Sequence, residues 1–258
     1  NRVGDISHAI QTYVERHGIW EGIGRVYFWK QRHSNATFRF IRQKGRLVRV
    51  ERVNGLGFLR ADRDEASWQF IYDSDSDRVS KIVARDHRGI VQRLQSYNDD
   101  LSRLEYRDRQ GRPKPKQGTD VSLELRELDE HGFIKRERFA NLHEASRIND
   151  EGANGYERLQ DARGLTLRTS VLREDGAPGT TKRGVSYTAY EYDQGGHVIQ
   201  GAFFGTNGQA TLDNNHVAQW RSRYDERGNA IEMAYFGVDG KPVLNKDGYA
   251  QWRSRYDE

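Results

Sequence analysis

Hydrophobic and polar residues alternate with period two over much of the chain, in paired runs on either side of a turn. Trp220, Ser222 and Tyr224 alternate with Arg221 and Arg223, and after the turn Ile231, Met233 and Tyr235 alternate around Glu232. The preceding pair reads the same way, with Thr188, Tyr190 and Tyr192 before its turn and Ile199, Gly201 and Phe203 after it. Leu167, Thr169 and Val171 end an earlier pair. Two such runs around turn residues predict an antiparallel β-hairpin with one buried face. The turn itself is an Asp-x-x-Gly step, which fits a type I turn closed by a left-handed glycine that forms a bulge.

The hairpins recur at a fixed interval. The segment from Ala218 to Glu226 returns letter for letter from Ala250 to Glu258, and 250 − 218 = 32. Gly132, Gly164, Gly196 and Gly228 keep the same interval, each three residues after Asp129, Asp161, Asp193 and Asp225. Further on in the unit come Gly176, Gly208 and Gly240, with Pro178 and Pro242 two positions beyond the first and last of these. A second turn at Val238 to Pro242 and a loop through Asn245, Lys246, Asp247 and Gly248 lead into the next strand. A period of this size means an array of one supersecondary unit, in which each copy buries its apolar face with its neighbours.

Upstream the same ruler slips. Asp99 as anchor places Tyr106, Gly111 and Pro113 in register, with one residue added before Gly132, in the loop from Lys114 to Asp120. Tyr72 and Asp73 point to an anchor near Ser76 whose loop is trimmed. Phe38 to Ile41, leading through Gly45 to Val48 and Val50, make the earliest hairpin of about seven. Ahead of them, Ile6, Ala9, Ile10, Tyr13 and Val14 fall on one helical face between Asp5 as N-cap and Gly18 as terminator, which predicts a helix over residues 5–17. Gly22 and Gly24 then lead into a strand at Val26 to Trp29. The expected fold is all-β: a tandem antiparallel β-hairpin repeat array, as a solenoid, curled sheet or shell, with a short N-terminal capping helix. Residues 1–24 form the helix and cap, 25–119 diverged hairpins, and 120–258 regular 32-residue hairpins truncated in the last copy.

Composition narrows the picture. Apolar residues are 35% and charged residues 31%, with mean hydropathy −0.96, which suits a thin sheet better than a thick core. Aromatics at 11% argue against disorder. The net charge is +4 from 42 basic and 38 acidic residues, interleaved along the chain, so no specific nucleic-acid partner is expected. The absence of cysteine excludes disulfides and thiol chemistry and leaves the compartment open. No run has the roughly 18 apolar residues of a spanning helix, so no membrane insertion is expected within the segment. The chain starts without Met and stops inside a repeat, which reads as a segment of a longer protein.

Tyr192-Asp193-Gln194-Gly195-Gly196 followed by Phe203 resembles the tyrosine–aspartate repeat of the Rhs and teneurin class. The fuller unit, Tyr224-Asp225 through Gly228, then Tyr235-Phe236-Gly237-Val238-Asp239-Gly240-Lys241-Pro242 and Asn245 to Tyr249, is similar to tandem repeats of large bacterial proteins. The resemblance covers residues 120–258 well and 38–119 loosely. It implies an array that flanks signalling, enzymatic or membrane modules, with an envelope or extracellular place favoured over the cytoplasm. In the Rhs class such repeats build a hollow β-shell around a toxin domain. The unit here is longer than the usual one, and no toxin or protease segment is visible.

Candidate chemistry is sparse. Asp73, Asp75 and Asp77 have the spacing that opens a calcium loop, but Arg78 stands where the sharp turn needs glycine and Ala84 where a bidentate Glu belongs, so the stretch reads as a solvated hairpin tip. The eight histidines, His8, His17 and His131 among them, show no metal or triad pattern. Gly22 to Gly24 and Gly55 to Gly57 read as turns, and Asn35 to Thr37 is a glycosylation acceptor by pattern alone. Trp220, Tyr224, Tyr235, Trp252 and Tyr256 occupy apolar positions and read as core, with stacking for sugars or bases as the rival. On the other face Arg221, Arg223, Arg253 and Arg255 form a stripe that could bind anionic polymers, offset by Glu226, Glu232 and Asp257.

These observations point to a non-enzymatic scaffold, spacer or self-assembling surface without metal or other cofactor. Its expected partner is a protein, or a second copy, added through the open sheet edge. The rivals are a module binding glycans or anionic polymers, and a shell or regulatory part of a toxin or enzyme whose chemistry lies elsewhere.

Overall fold

In the computed structural model, the described residues are 5–9, 12–23, 37–54, 58–60, 65–116, 118–226 and 228–256. Among them there is no helix. Strands β1 (Asp5–Ala9), β2 (Thr12–Arg16) and β3 (Ile19–Ile23) are followed by β4 (Thr37–Gln43), β5 (Arg46–Val53), β6 (Ser67–Tyr72) and β7 (Val79–Arg85). Next come β8 (Val91–Tyr97), β9 (Arg103–Arg107), β10 (Leu123–Leu128), β11 (Ile134–Ala140), β12 (Gly155–Gln160) and β13 (Thr166–Leu172). The regular units end the chain as β14 (Tyr187–Tyr192), β15 (Val198–Phe204), β16 (Gln219–Tyr224), β17 (Ala230–Phe236) and β18 (Gln251–Arg253). One antiparallel sheet of 16 strands runs β1, β4, β5 and onward in sequence order to β18; β2 and β3 form a separate hairpin. The order never returns on itself, so the sheet is open and not a barrel.

The turns explain the period. Asp161 donates its N–H to the Leu165 carbonyl at 2.9 Å, and Gly164 donates to the Asp161 carbonyl at 2.8 Å. Asp161 Oδ1 accepts from the N–H groups of both Arg163 and Leu165, each at 2.9 Å. Gly164 sits at φ 83°, the left-handed conformation that costs glycine no Cβ clash. The register shifts between Leu159 and Gln160, beside the turn, as it does at the matching place in the other regular hairpins. The same five-residue loop closes the unit twice more at the opposite edge, as Gly237 to Lys241 and Asn245 to Tyr249. In the Gly237 loop the side-chain acceptor moves to Asp239, whose Oδ1 takes the Lys241 N–H at 3.1 Å. Between Asp99 and Gly132 this third loop has one residue more: Lys116 bonds to Val121, five positions on, where Asn149 bonds to Ala153, four positions on. A single turn at Asp86 replaces both edge loops between β7 and β8.

The N-terminal segment corrects the helix expected over residues 5–17. Asp5–Ala9 pairs with β4 along the sheet edge, and Thr12–Arg16 pairs with Ile19–Ile23. Their turn is His17 (φ 49°) and Gly18 (φ 73°), a two-residue turn whose paired positive φ values suit twisted strands. Thr12, Val14, Ile19 and Ile23 are β-branched and favour extended chain. Gly18, expected to end a helix, instead turns a hairpin, and Gly22 and Ile23, expected in a turn, belong to β3. The expected strand at Val26 to Trp29, the Gly55 to Gly57 turn, Gly24, Asn35 and Ala36 lie outside the described residues.

Alternation gives the large sheet two faces. Phe40, Val50, Trp68 and Ala84 oppose one another in register on one face, and Phe70, Ile82, Gln95 and Tyr106 form the next row. Trp20 of β3 packs into this face with Phe38, Phe40, Leu47, Val50, Trp68, Phe70, Val79 and Ile82. A second cluster gathers Leu104, Tyr106, Val121, Phe139, Ala153, Tyr156 and Val171. Hairpin β2–β3 therefore supplies the cover that a one-faced sheet needs at this end.

Candidate interaction face

The most regular side chains of the repeat hold one unit to the next. Tyr192 Oη donates to the Thr166 carbonyl at 2.8 Å, Tyr224 to Val198 at 3.0 Å and Tyr256 to Ala230 at 3.1 Å. Each acceptor lies two residues past an anchor glycine of the preceding hairpin. Tyr72 makes the same bond to Leu47, two past Gly45, at 2.8 Å. Where Gln160 replaces the tyrosine, its Nε2 donates to Ile134, two past Gly132, at 3.1 Å. The Tyr-Asp pair thus has two jobs: the tyrosine clamps the previous unit and the aspartate closes its own turn.

A second ladder follows the anchor glycines. Leu101, Phe133, Leu165, His197 and Asn229 recur at the 32-residue interval. All but His197 are buried, and the His197 side chain is 18% exposed. The Phe133 ring lies over Gly164, so close that a Cβ there would meet it at 2.4 Å. His197 stacks on Tyr224 with centroids 4.8 Å apart and holds Asp193 Oδ2 at 2.8 Å through Nδ1. At the start of the ladder the tip of β2–β3 takes over. The His17 ring covers Gly132, Gly18 meets Leu101, and Arg16 lies over Phe133 at 5.4 Å. His17 N–H donates to the Gly132 carbonyl at 2.8 Å.

Behind that tip the covered face carries buried charge. Arg126 Nη1 reaches Glu15 of β2 at 2.8 Å and its Nη2 reaches Glu124 at 2.7 Å, while Tyr106 Oη also donates to Glu124. Arg93 forks onto Glu65, with both contacts at 2.7 Å. Burial alone would raise Glu124, but the Arg126 guanidinium and the Tyr106 hydroxyl hold its carboxyl below the usual range. Burial pushes the Tyr97 and Tyr106 hydroxyls up, with Glu15 adding to the first and Glu124 to the second. Every carboxylate in the group has a cation or a hydroxyl donor, as buried charge requires. The arrangement fixes where β2–β3 lies; it presents no free nucleophile or base.

The same face continues beyond the hairpin without a cover among the described residues. Arg158, Thr169, Thr188 and Phe203 oppose one another, then Tyr190, Gly201, Trp220 and Tyr235, then Ser222, Met233 and Trp252. Here Trp220, Tyr190, Phe203, Tyr235 and Trp252 are half-buried. Their rings touch one another: Phe203 and Trp220 at 5.1 Å, Tyr190 and Trp220 at 6.2 Å. Trp220 lies flat against Gly201, where a Cβ would come within 2.0 Å of the ring.

The arginines singled out from sequence sit on the opposite face. Arg223, Glu232 and Arg253 stand directly across from one another, and Glu232 Oε2 holds Arg223 at 3.3 Å and Arg253 at 3.2 Å. Arg221 bonds to Gln200 at 3.1 Å and lies over Phe236 at 4.8 Å; Arg255 is exposed. At the hairpin tip Asp73 to Asp77, the Arg78 guanidinium takes Asp73 and Asp99, while Asp77 pairs with Arg46. No cluster of three or more metal-ligating side chains occurs among the described residues, and no helix there is long and apolar enough to cross a membrane. Sequence reasoning missed the charged group around Arg126 and the ladder after the anchor glycines. The 32-residue recurrence of Leu101, Phe133 and Leu165 was the available signal for the second.

No protein-family model and no curated protein sequence matches the chain. Among solved structures it is similar to a chain of the Photorhabdus luminescens Tc holotoxin pore carrying a TccC3 point variant, at 10% identity and TM-score 0.30, over 80% of this chain and 11% of that one. It is also similar to a chain of the TcdB2–TccC3–TEV crystal structure, at 12% identity and TM-score 0.33, over 81% and 10%. The chain spans about a tenth of the length of these structures.

Proposed function

We propose that the chain is a non-enzymatic repeat scaffold, a stiff strip of hairpins within a larger bacterial assembly that associates with protein through its open edge and its aromatic face. One observation carries this reading: the repeated polar side chains are consumed by turns and unit joints. Asp161 spends Oδ1 on two backbone donors, and the tyrosine hydroxyls of the repeat clamp carbonyls of the preceding unit. An enzyme concentrates reactive groups in one place, whereas this chain distributes holding groups along its length.

The edge reading has a direct test. In β18, Ala250 O and Ser254 N point to β17, so the N–H of Arg253 points away from it. Arg253→Pro removes an outward donor and leaves that pairing intact. Sedimentation velocity over a wide concentration range is expected to show reversible association of the unaltered chain and its loss in the variant. A chain that stays monomeric throughout would sink the edge reading, and turnover of a substrate by the isolated chain would sink the scaffold reading altogether.

The half-buried aromatics favour one further reading, a surface that stacks sugars. Replacing Trp220 and Trp252 by Ala separates the two: unfolding marks them as core, whereas a retained fold with lost glycan binding marks them as a ligand surface.

A further inference from the structure

The covered and uncovered stretches of the apolar face are built on one register. Trp68 stands four residues before the clamp tyrosine Tyr72, and Trp220 four before Tyr224. Trp68 is 4% exposed because Trp20 of β3 lies on it, with ring centroids 5.1 Å apart. Among the described residues, the rings packed on Trp220 are Tyr190 and Phe203 of its own sheet, and it is half-buried. The polar positions repeat the contrast. Arg126 and Arg158 are one unit apart (158 − 126 = 32) and point to the same face. Arg126 Nη1 receives Glu15 from the hairpin at 2.8 Å. Arg158 Nη2 is held by Glu137 at 2.6 Å, and its Nη1 is buried with no hydrogen-bond partner. The Arg158 side chain is 22% exposed against 6% for Arg126, so nothing among the described residues covers it as Glu15 covers Arg126.

We propose that the stretch from Arg158 to Trp220 and Trp252 is a docking surface for a second cover: an extended hairpin of a partner protein, made like β2–β3. Such a hairpin brings a large aromatic ring onto Trp220 and an oxygen acceptor, a carboxylate or a carbonyl, onto the exposed part of the Arg158 side chain. The argument is continuity with the interface that β2–β3 already forms on this face. That hairpin ends at Gly132, one unit short of Gly164, so the next position along the face is the one with no cover among the described residues. The proposal rests on the reading of the chain as a protein-binding scaffold and names the partner's chemistry.

The test uses the full chain and, as probe, a labelled cyclic peptide carrying residues 12–23 (TYVERHGIWEGI), titrated by fluorescence anisotropy. Saturable binding is expected. It should weaken about tenfold or more when the peptide carries Trp20→Ala or the chain carries Trp220→Ala, and severalfold when the peptide carries Glu15→Gln. Because Trp220→Ala can disturb the fold, the peptide-side changes keep the test readable. Hydrogen exchange of the complex must leave the chain's own β2–β3 protected. Three results would overturn the docking surface: no saturable binding by the folded chain, binding indifferent to all three substitutions, or binding that displaces the native hairpin. Association through β18 is measured separately, so failure here leaves the scaffold reading standing.

Discussion

The Tyr224 hydroxyl donates to the Val198 carbonyl 3.0 Å away, a bond that reaches 26 residues back and ties one hairpin to the preceding one. The same bond at Tyr192 joins the previous pair of units. Removing either hydroxyl as Tyr→Phe keeps the ring and leaves one carbonyl unmatched, so each change should cost about 0.5–1.5 kcal/mol. The two bonds share no group, and the double variant should lose close to the sum. Urea unfolding of the four proteins checks this; a double variant no weaker than one single variant would show that the clamps do not act separately.

The clamps also set an alkaline limit. Burial pushes the Tyr192 hydroxyl up to about 12, with Tyr190 and Asp161 adding to the rise. A raised tyrosine keeps its proton when folded and loses it first when unfolded. Its contribution is therefore complete below about pH 10, the unperturbed value, and disappears as pH climbs through about 12. Thermal midpoints should fall across that window, and Tyr192→Phe should make the fall shallower.

Acid acts through the turns. Burial would raise the Asp161 carboxyl, but the Leu165 N–H, the Arg163 guanidinium and the Arg163 N–H together hold it low. A depressed carboxyl stabilises above its unfolded pKa of about 3.9, and that contribution disappears as pH drops through the lower folded value. Asn149 and Asn245 close equivalent loops with an uncharged oxygen. Asp161→Asn should therefore stay within about 0.5 kcal/mol of the parent at neutral pH and flatten the acid limb, whereas Asp161→Ala should cost about 1 kcal/mol throughout. Urea midpoints at pH 7 and below pH 4 distinguish the two.

Two glycines stand where side chains meet the sheet. A Cβ on Gly201 would come within 2.0 Å of the Trp220 ring, and one on Gly155 within 2.3 Å of the Glu137 carbonyl oxygen. A ring can rotate away and a paired strand cannot. Gly201→Ala should cost about 1–3 kcal/mol and shift the tryptophan emission, while Gly155→Ala should cost more and leave that emission nearer the parent's. Equal losses would mean that the ring is as firmly held as the backbone.

One charged contact helps to hold the hairpin on the apolar face. Glu15→Gln withdraws the carboxylate from Arg126 Nη1 but leaves Glu124 on Nη2. A cost of about 1–3 kcal/mol is expected, below the full cost of stripping a buried charge of its partner. Hydrogen exchange should show protection lost over residues 12–23 first, with β14 to β17 unchanged.

Most of the array was legible because its information is local. Alternation, Asp-x-x-Gly steps and a 32-residue ruler act within one or two hairpins, and they placed even the added residue, in the loop at Lys116 to Val121. The N-terminal segment misled because its apolar spacing suits a helix in isolation. What decides its structure is pairing with β4 and the turn at His17 and Gly18. The charged group was hidden for a related reason: Glu15 and Arg126 are 111 residues apart, and nothing local marks either as the other's partner. The tyrosines were legible as apolar rings and not as donors, since their acceptors are backbone carbonyls that carry no residue signature. The arginine stripe was visible as charge, and the sharing of Glu232 between Arg223 and Arg253 emerged only with the strand register.

The contact between His17 and Gly132 has a consequence for the order in which the molecule is made. Each hairpin of the array can close as soon as its own residues have left the ribosome, since its partner strand is the one just before it. The β2–β3 hairpin leaves the ribosome before the strands it covers, and its tip contact at Gly132 lies 115 residues further along (132 − 17). At roughly 5–20 residues per second it waits about 6–23 s for that place to exist. The tip of β2–β3 thus settles only after the strands beneath it have been made, and its arrival marks the completion of the units it covers.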